Sequence, residues 1–302
     1  MNVKDNIRGT LTALITPFDE KDLKIDYASL DKLIDFQIAA SVDGLVVCGS
    51  TGEAASLSDD EIYSLIRHVK NRIKGKMPCI GGIITNNTER AIQMAQFMAE
   101  EKLDAALVVT PPYIKPTQEG IMLHFEAIKS KSALPLIAYN IPGRAAVSIS
   151  PQTLAEMIKQ NTISGIKDST ASIELMLQTA SMLGGGNFTQ NGVAYFAGED
   201  SLVHPIMACG GAGVISASAN VIPELFVKIT QAAAAKRWED SLSGQIKIMP
   251  FIKTMFIETN PIPVKAALKI KGIIKSDYVR VPLSGPRTST LEQVSSALKD
   301  LS

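Results

Sequence analysis

Lys167 closes a short apolar stretch, Ile163-Ser164-Gly165-Ile166-Lys167, just before the polar residues Asp168, Ser169 and Thr170. An ammonium is costly to bury there, because removal from water disfavours its charged form. Desolvation can bring a catalytic lysine down to roughly pKa 7–8, where the free amine condenses with a carbonyl to give a Schiff base. A lysine so placed can instead face solvent or pair with Asp168, so the other reactive groups decide. Gly49-Ser50-Thr51-Gly52-Glu53 sets two hydroxyls between glycines, Tyr113 follows Thr110-Pro111-Pro112, and Tyr139-Asn140-Ile141-Pro142-Gly143-Arg144 joins a phenol to a guanidinium.

These groups suit one kind of reaction. Lys167 would condense with the ketone of a 2-oxo acid, and the iminium would make the adjacent methyl acidic. Loss of that proton leaves an enamine ready for an aldehyde, and a phenol such as Tyr139 can move the proton. Hydroxyls and backbone N–H groups of the 49–52 turn could bind the substrate carboxylate. Arg144 could grip a second carboxylate through paired hydrogen bonds. Each element also has a plainer reading: a common turn, a core tyrosine, a surface arginine.

What brings the groups together is the order of elements. Short continuously apolar runs, as expected when both faces of a parallel sheet are covered, fall at Gly9–Thr16, Gly44–Gly49, Pro78–Ile84, Ala105–Thr110, Leu134–Asn140, Ile163–Lys167, about Ala194–Gly198 and Gly213–Ala217. Helical patterns lie between most of them; Asp26 is placed as an N-cap, and Ser58 with Glu61 as a capping box. About eight βα units predict a closed (β/α)8 TIM barrel rather than a doubly wound open sheet, for which no G-x-G-x-x-G follows the first strand. Barrel enzymes place their chemistry at the C-terminal ends of strands, and every candidate above falls there. Gly210-Gly211-Ala212-Gly213 precedes its strand and is read as close packing, not a phosphate cradle. After Asn220 the strand signal stops, so residues 1–220 are expected to form the barrel and 221–302 a C-terminal helical region packed on it.

Composition narrows the class. The 302-residue chain is 46% hydrophobic and 20% charged with a formal net charge of +0, and has no basic or acidic block, which argues against nucleic acid or a membrane surface as partner. No apolar run approaches the ~18 residues of a membrane span, and Met1–Asn6 lack the apolar core of a signal peptide; a cytoplasmic protein is expected. Cys48, Cys79 and Cys209 are isolated and read as small buried hydrophobes, and His68, His124 and His204 show no ligand spacing. Neither a metal nor a cofactor is expected.

The motifs Gly49-Ser50-Thr51-Gly52-Glu53, Tyr139-Asn140-Ile141-Pro142-Gly143-Arg144 and Gly165-Ile166-Lys167-Asp168, in this order and spacing, resemble the dihydrodipicolinate synthase / N-acetylneuraminate lyase family. Glu258-Thr259-Asn260-Pro261-Ile262-Pro263-Val264-Lys265 resembles the synthase branch, and the likeness runs from about Gly9 onward. The resemblance implies a Schiff-base lyase condensing pyruvate with aspartate 4-semialdehyde, with Lys167 as the Schiff-base residue and Tyr139 as acid/base. It further implies that Thr51 with Ser50 binds pyruvate and relays protons, and that Tyr113 completes the relay from the neighbouring subunit of a tight dimer in a homotetramer. Arg144 would hold the semialdehyde carboxylate, Gly198 and Ile215 would line the pyruvate site, and Asn260–Lys265 would be scaffold. Ser50 stands where the family most often has threonine. At positions where lysine-inhibited relatives bind lysine the chain has Ala54, Asp59, Ile62, Arg90 and Pro112, keeping only Asn86, so weak or absent inhibition is expected. The alternatives are an aldolase of a 2-keto-3-deoxy sugar acid and a non-catalytic paralogue that binds an oxo acid.

Overall fold

A computed structural model describes residues 7–185, 188 and 191–301. Met1–Asn6, read for a leader, and Gly186, the last of the Gly184–Gly186 run, lie outside the described residues.

Among those residues eight parallel strands close into a barrel in chain order: β1 Gly9–Ala13, β2 Gly44–Val47, β3 Cys79–Ile83, β4 Ala105–Val109, β5 Leu136–Asn140, β6 Gly165–Asp168, β7 Ala194–Ala197 and β8 Gly213–Ser216. β8 returns to β1 in parallel register, Gly9 opposite Gly213 and Thr12 opposite Ser216. That seam needs glycine: a Cβ on Gly213 would sit inside the backbone of Gly9. The glycine run before β8 thus serves packing, as expected.

Residues alternate between the two faces of each strand. Leu11, Val46, Leu107, Ile137, Phe196 and Ile215 fill the barrel interior, while Leu45, Val108, Ile166 and Val214 join the larger layer beneath the helices. The helices begin where capping chemistry predicts. Asp26 accepts from the N–H of Ser29 at the start of helix Tyr27–Ala39, and Ser58 and Glu61 form a reciprocal capping box at Asp59–Ile73.

The helix Pro223–Ala234 belongs against the barrel, where the Thr230 hydroxyl meets that of Thr10 on β1 at 2.9 Å. Three further helices follow, Trp238–Met255, Ile262–Ile270 and Thr288–Lys299. Among the described residues no helix is long and apolar enough to cross a membrane. Cys48 and Cys79 are buried as expected, whereas Cys209 is half-buried because it sits on the C-cap of the short helix Val203–Ala208.

The C-terminal segment is bound to the barrel rim by a buried ion pair. Lys265, with a side chain 0% exposed, reaches Glu53 at 2.5 Å, donates to the carbonyl of Tyr278 at 2.7 Å and lies 4.2 Å from the Phe18 ring centroid. Arg280 covers the same ring, donates its backbone N–H to Glu53 at 3.0 Å and grips Glu61 with its two terminal guanidinium nitrogens. Burial pulls the Lys265 ammonium down to about 8, with Glu53 pulling the other way. Lys265→Met would strand a buried carboxylate, and the expected loss is about 3–5 kcal/mol of stability, read as a lower denaturant midpoint. Adding Glu53→Gln should recover part of it.

Candidate active site

The strand register sets the centre. Tyr139 on β5 pairs with Lys167 on β6, and both side chains point into the barrel near its C-terminal end. Lys167 is only 5% exposed, and its nitrogen lies 4.2 Å from the centroid of the Tyr139 ring. It does not pair with Asp168, which occupies the last position of β6 and faces outward. There Asp168 accepts from Asn140 at 3.3 Å and from the Thr170 hydroxyl at 2.8 Å, and burial raises its carboxyl above the usual range against those bonds.

Ser50, Thr51, Tyr139, Arg144, Lys167, Gly198 and Ile215 line one cavity of about 930 Å3 at the barrel mouth. The turn after β2 is wound tightly, with the N–H groups of Gly52 and Glu53 donating back to the carbonyls of Gly49 and Ser50. Cys48 (φ 59°) and Glu53 (φ 55°) hold left-handed backbone at its two ends, conformations that cost a non-glycine residue about 1–3 kcal/mol and persist where surroundings fix them. The Lys265 ion pair does that for Glu53. The N–H groups of Ser50 and Thr51 make no hydrogen bond among the described residues, which leaves two successive donors and two hydroxyls as a cradle for a carboxylate.

Arg144 stands on a single helical turn, Pro142–Ala145, that sequence periodicity could not register. Its guanidinium is exposed and donates to the Asn260 carbonyl at 3.1 Å. Gly198 follows β7, and a Cβ there would collide with Ser169 and the Asp168 carbonyl. Tyr113 is not brought to the cavity within one chain: it is 87% exposed with φ 74°, beside the exposed Ile114.

Two residues of the site went unread in the sequence. Asn260, expected to be scaffold, lines the cavity and donates its amide N–H to the Thr51 hydroxyl oxygen at 2.8 Å. With a lone pair so engaged, the Thr51 hydroxyl is free to donate its own proton toward the cavity. Glu199 also lines the cavity, and only its place just after a strand could have marked it.

The dihydrodipicolinate synthetase family profile matches residues 6–301. The chain belongs to this family. Among its relatives is the 4-hydroxy-tetrahydrodipicolinate synthase of Geotalea uraniireducens, 36% identical over 277 residues, or 92% of each chain. The dihydrodipicolinate synthase of Thermotoga maritima superposes with a TM-score of 0.93 at 33% identity, covering 98% of each chain. That of Acinetobacter baumannii, whose structure holds pyruvate, gives 0.92 at 35% identity over 97% of this chain and 98% of its own.

Asn260→Ala should release the Thr51 hydroxyl. The net worth of one such bond, about 1 kcal/mol, corresponds to a roughly fivefold loss of kcat/KM for the 2-oxo acid. Steady-state kinetics on Asn260→Ala, Thr51→Val and the double variant check it: the two losses should not add.

Proposed function

We propose that the chain condenses pyruvate with L-aspartate 4-semialdehyde to 4-hydroxy-tetrahydrodipicolinate, a step of lysine and diaminopimelate biosynthesis, through a Schiff base on Lys167. The observation that carries the reading is the Lys167 amine, buried beside the Tyr139 ring, in a chain 36% identical to a curated synthase over nearly its whole length.

The Lys167 amine attacks C2 of pyruvate, and water leaves to give the iminium. The C3 methyl gives up a proton, with Tyr139 as acid/base, and the enamine attacks the aldehyde carbon; the new alkoxide takes up a proton. Because the product is a ring, the amine of the semialdehyde must then attack C2 and displace Lys167, regenerating the free lysine. No redox partner or cofactor enters this sequence. The pyruvate carboxylate fits the Ser50–Thr51 cradle, with Gly198 and Ile215 alongside. Arg144, at the cavity rim, suits the second carboxylate better than it would suit sugar hydroxyls. An exposed Tyr113 is what a tight dimer requires if each copy lends this phenol to its neighbour, and a homotetramer built from such dimers is the assembly we infer.

Borohydride with pyruvate should leave a reduced pyruvyl group on the Lys167 peptide, seen by mass spectrometry, and Lys167→Ala should show none. Tyr139→Phe should still trap pyruvate while turnover falls by about 10²–10⁴. Trapping on another lysine would sink the assignment.

Lysine should inhibit weakly or not at all. Arg90 holds Asp59 at 2.5 Å, and Asn86 donates to the Pro112 carbonyl, so a cation already occupies the ground where a diamine would need acids. Activity assayed against millimolar lysine checks this, and pronounced inhibition would contradict it.

A further inference from the structure

The second substrate is an amino acid as well as an aldehyde, and Arg144 accounts only for its carboxylate. Its ammonium needs an acceptor in the same cavity. Two acidic residues line that cavity, Glu199 and Glu258. Glu258 is already engaged, taking hydrogen bonds from the backbone N–H of Arg287 and the hydroxyl of Thr290. The neighbouring acids do not line this cavity: Glu53 is held by Lys265 and Arg280, Asp168 by Thr170 and Asn140, and the fully enclosed Asp200 takes the N–H of Ser218 on one oxygen while its other oxygen has no partner among the described residues.

Glu199 is different. It sits two residues beyond β7, half-buried, and its carboxylate has no hydrogen bond or ion pair among the described residues. β5, β6 and β7 are consecutive neighbours in the barrel, so Arg144, Lys167 and Glu199 follow one another around the rim with the reactive amine in the middle. Adjacent strands are about 4.8 Å apart, so β5 and β7 stand roughly 10 Å apart, a span that two long side chains can close around an amino-acid head group. Burial raises the Glu199 carboxyl to about 6, with Asp200 pushing the same way and Lys167 opposing, which leaves it ionised at neutral pH.

We propose that Glu199 selects an amino aldehyde, receiving the α-ammonium of the second substrate across Lys167 from the carboxylate held by Arg144. This rests on the condensation proposed above and adds to it the residue that distinguishes an amino acid from a plain oxo acid. Held there, the ammonium can pass a proton to the Glu199 carboxylate, and the freed amine is then placed to attack C2 and close the ring.

The test compares L-aspartate 4-semialdehyde with succinate semialdehyde, the same aldehyde without the amino group, in the wild type, Glu199→Gln and Glu199→Asp. Glu199→Gln should raise KM for the amino aldehyde by about tenfold or more, the scale of a lost charge-assisted bond, and Glu199→Asp should recover part of it. KM for pyruvate and the kinetics with succinate semialdehyde should change much less than KM for the amino aldehyde, and continued borohydride trapping of pyruvate on Lys167 shows that the variant is folded. An equal loss with both aldehydes, or a change confined to pyruvate, overturns the inference. Retained KM for the amino aldehyde in Glu199→Gln overturns it alone. A wild type that traps pyruvate yet never condenses it with the amino aldehyde overturns the proposed function, and this inference with it.

Discussion

The β5–β6 pairing is the constraint on which the site depends. Strand side chains alternate with a period of two, so the register that sets Tyr139 opposite Lys167 also decides that both face inward. A slip of one residue would turn Ile166 and Asp168 into the barrel and push the amine under the helices. The register is held from outside the ring, where Asn140 donates to Asp168 and accepts from the N–H of Ile149, and the N–H of Ser169 donates to the Asn140 carbonyl. Polar contacts on the outer face therefore fix which side chains the inner face presents at the mouth.

A second tie runs across the mouth. The turn after β2 carries Ser50 and Thr51 on backbone that is uncomfortable at both ends, and what holds it comes from more than two hundred residues later. Lys265 and Arg280 close on Glu53, while Asn260 reaches Thr51 and supports Arg144 through its carbonyl. Helices that read in the sequence as a cover for the barrel thus supply one wall of the cavity. A rim formed by βα loops alone would leave the hydroxyl turn and the guanidinium independent of each other; here one asparagine touches both.

The barrel itself was legible, because continuous apolar runs at regular spacing can be satisfied by few other architectures. Lys167, Tyr139, Ser50, Thr51 and Arg144 were legible because each ends a strand or follows one, where this fold gathers reactive groups. Asp168, which the sequence sets just past the apolar stretch, is the last residue of β6 and faces the outer layer; its alternation could not be judged without the strand's true end. The helix Pro223–Ala234 lies against β1 through Thr230. Asn260 and Glu199 were missed for a simpler reason. An amide in the turn between two C-terminal helices and an acid just after a strand say little by type alone, and only the folded path of the chain shows where they arrive.

The distant closure at Thr51 and Glu53 has a consequence for synthesis. A ribosome delivers Lys167 well before Asn260 and Lys265, so an emerging chain can have all eight strands while its mouth lacks a wall. The Lys167 amine exists early, but one wall of its pocket arrives late. The cavity is thereby completed only when the chain is almost entirely made, and a prematurely ended product carries the amine in an open mouth.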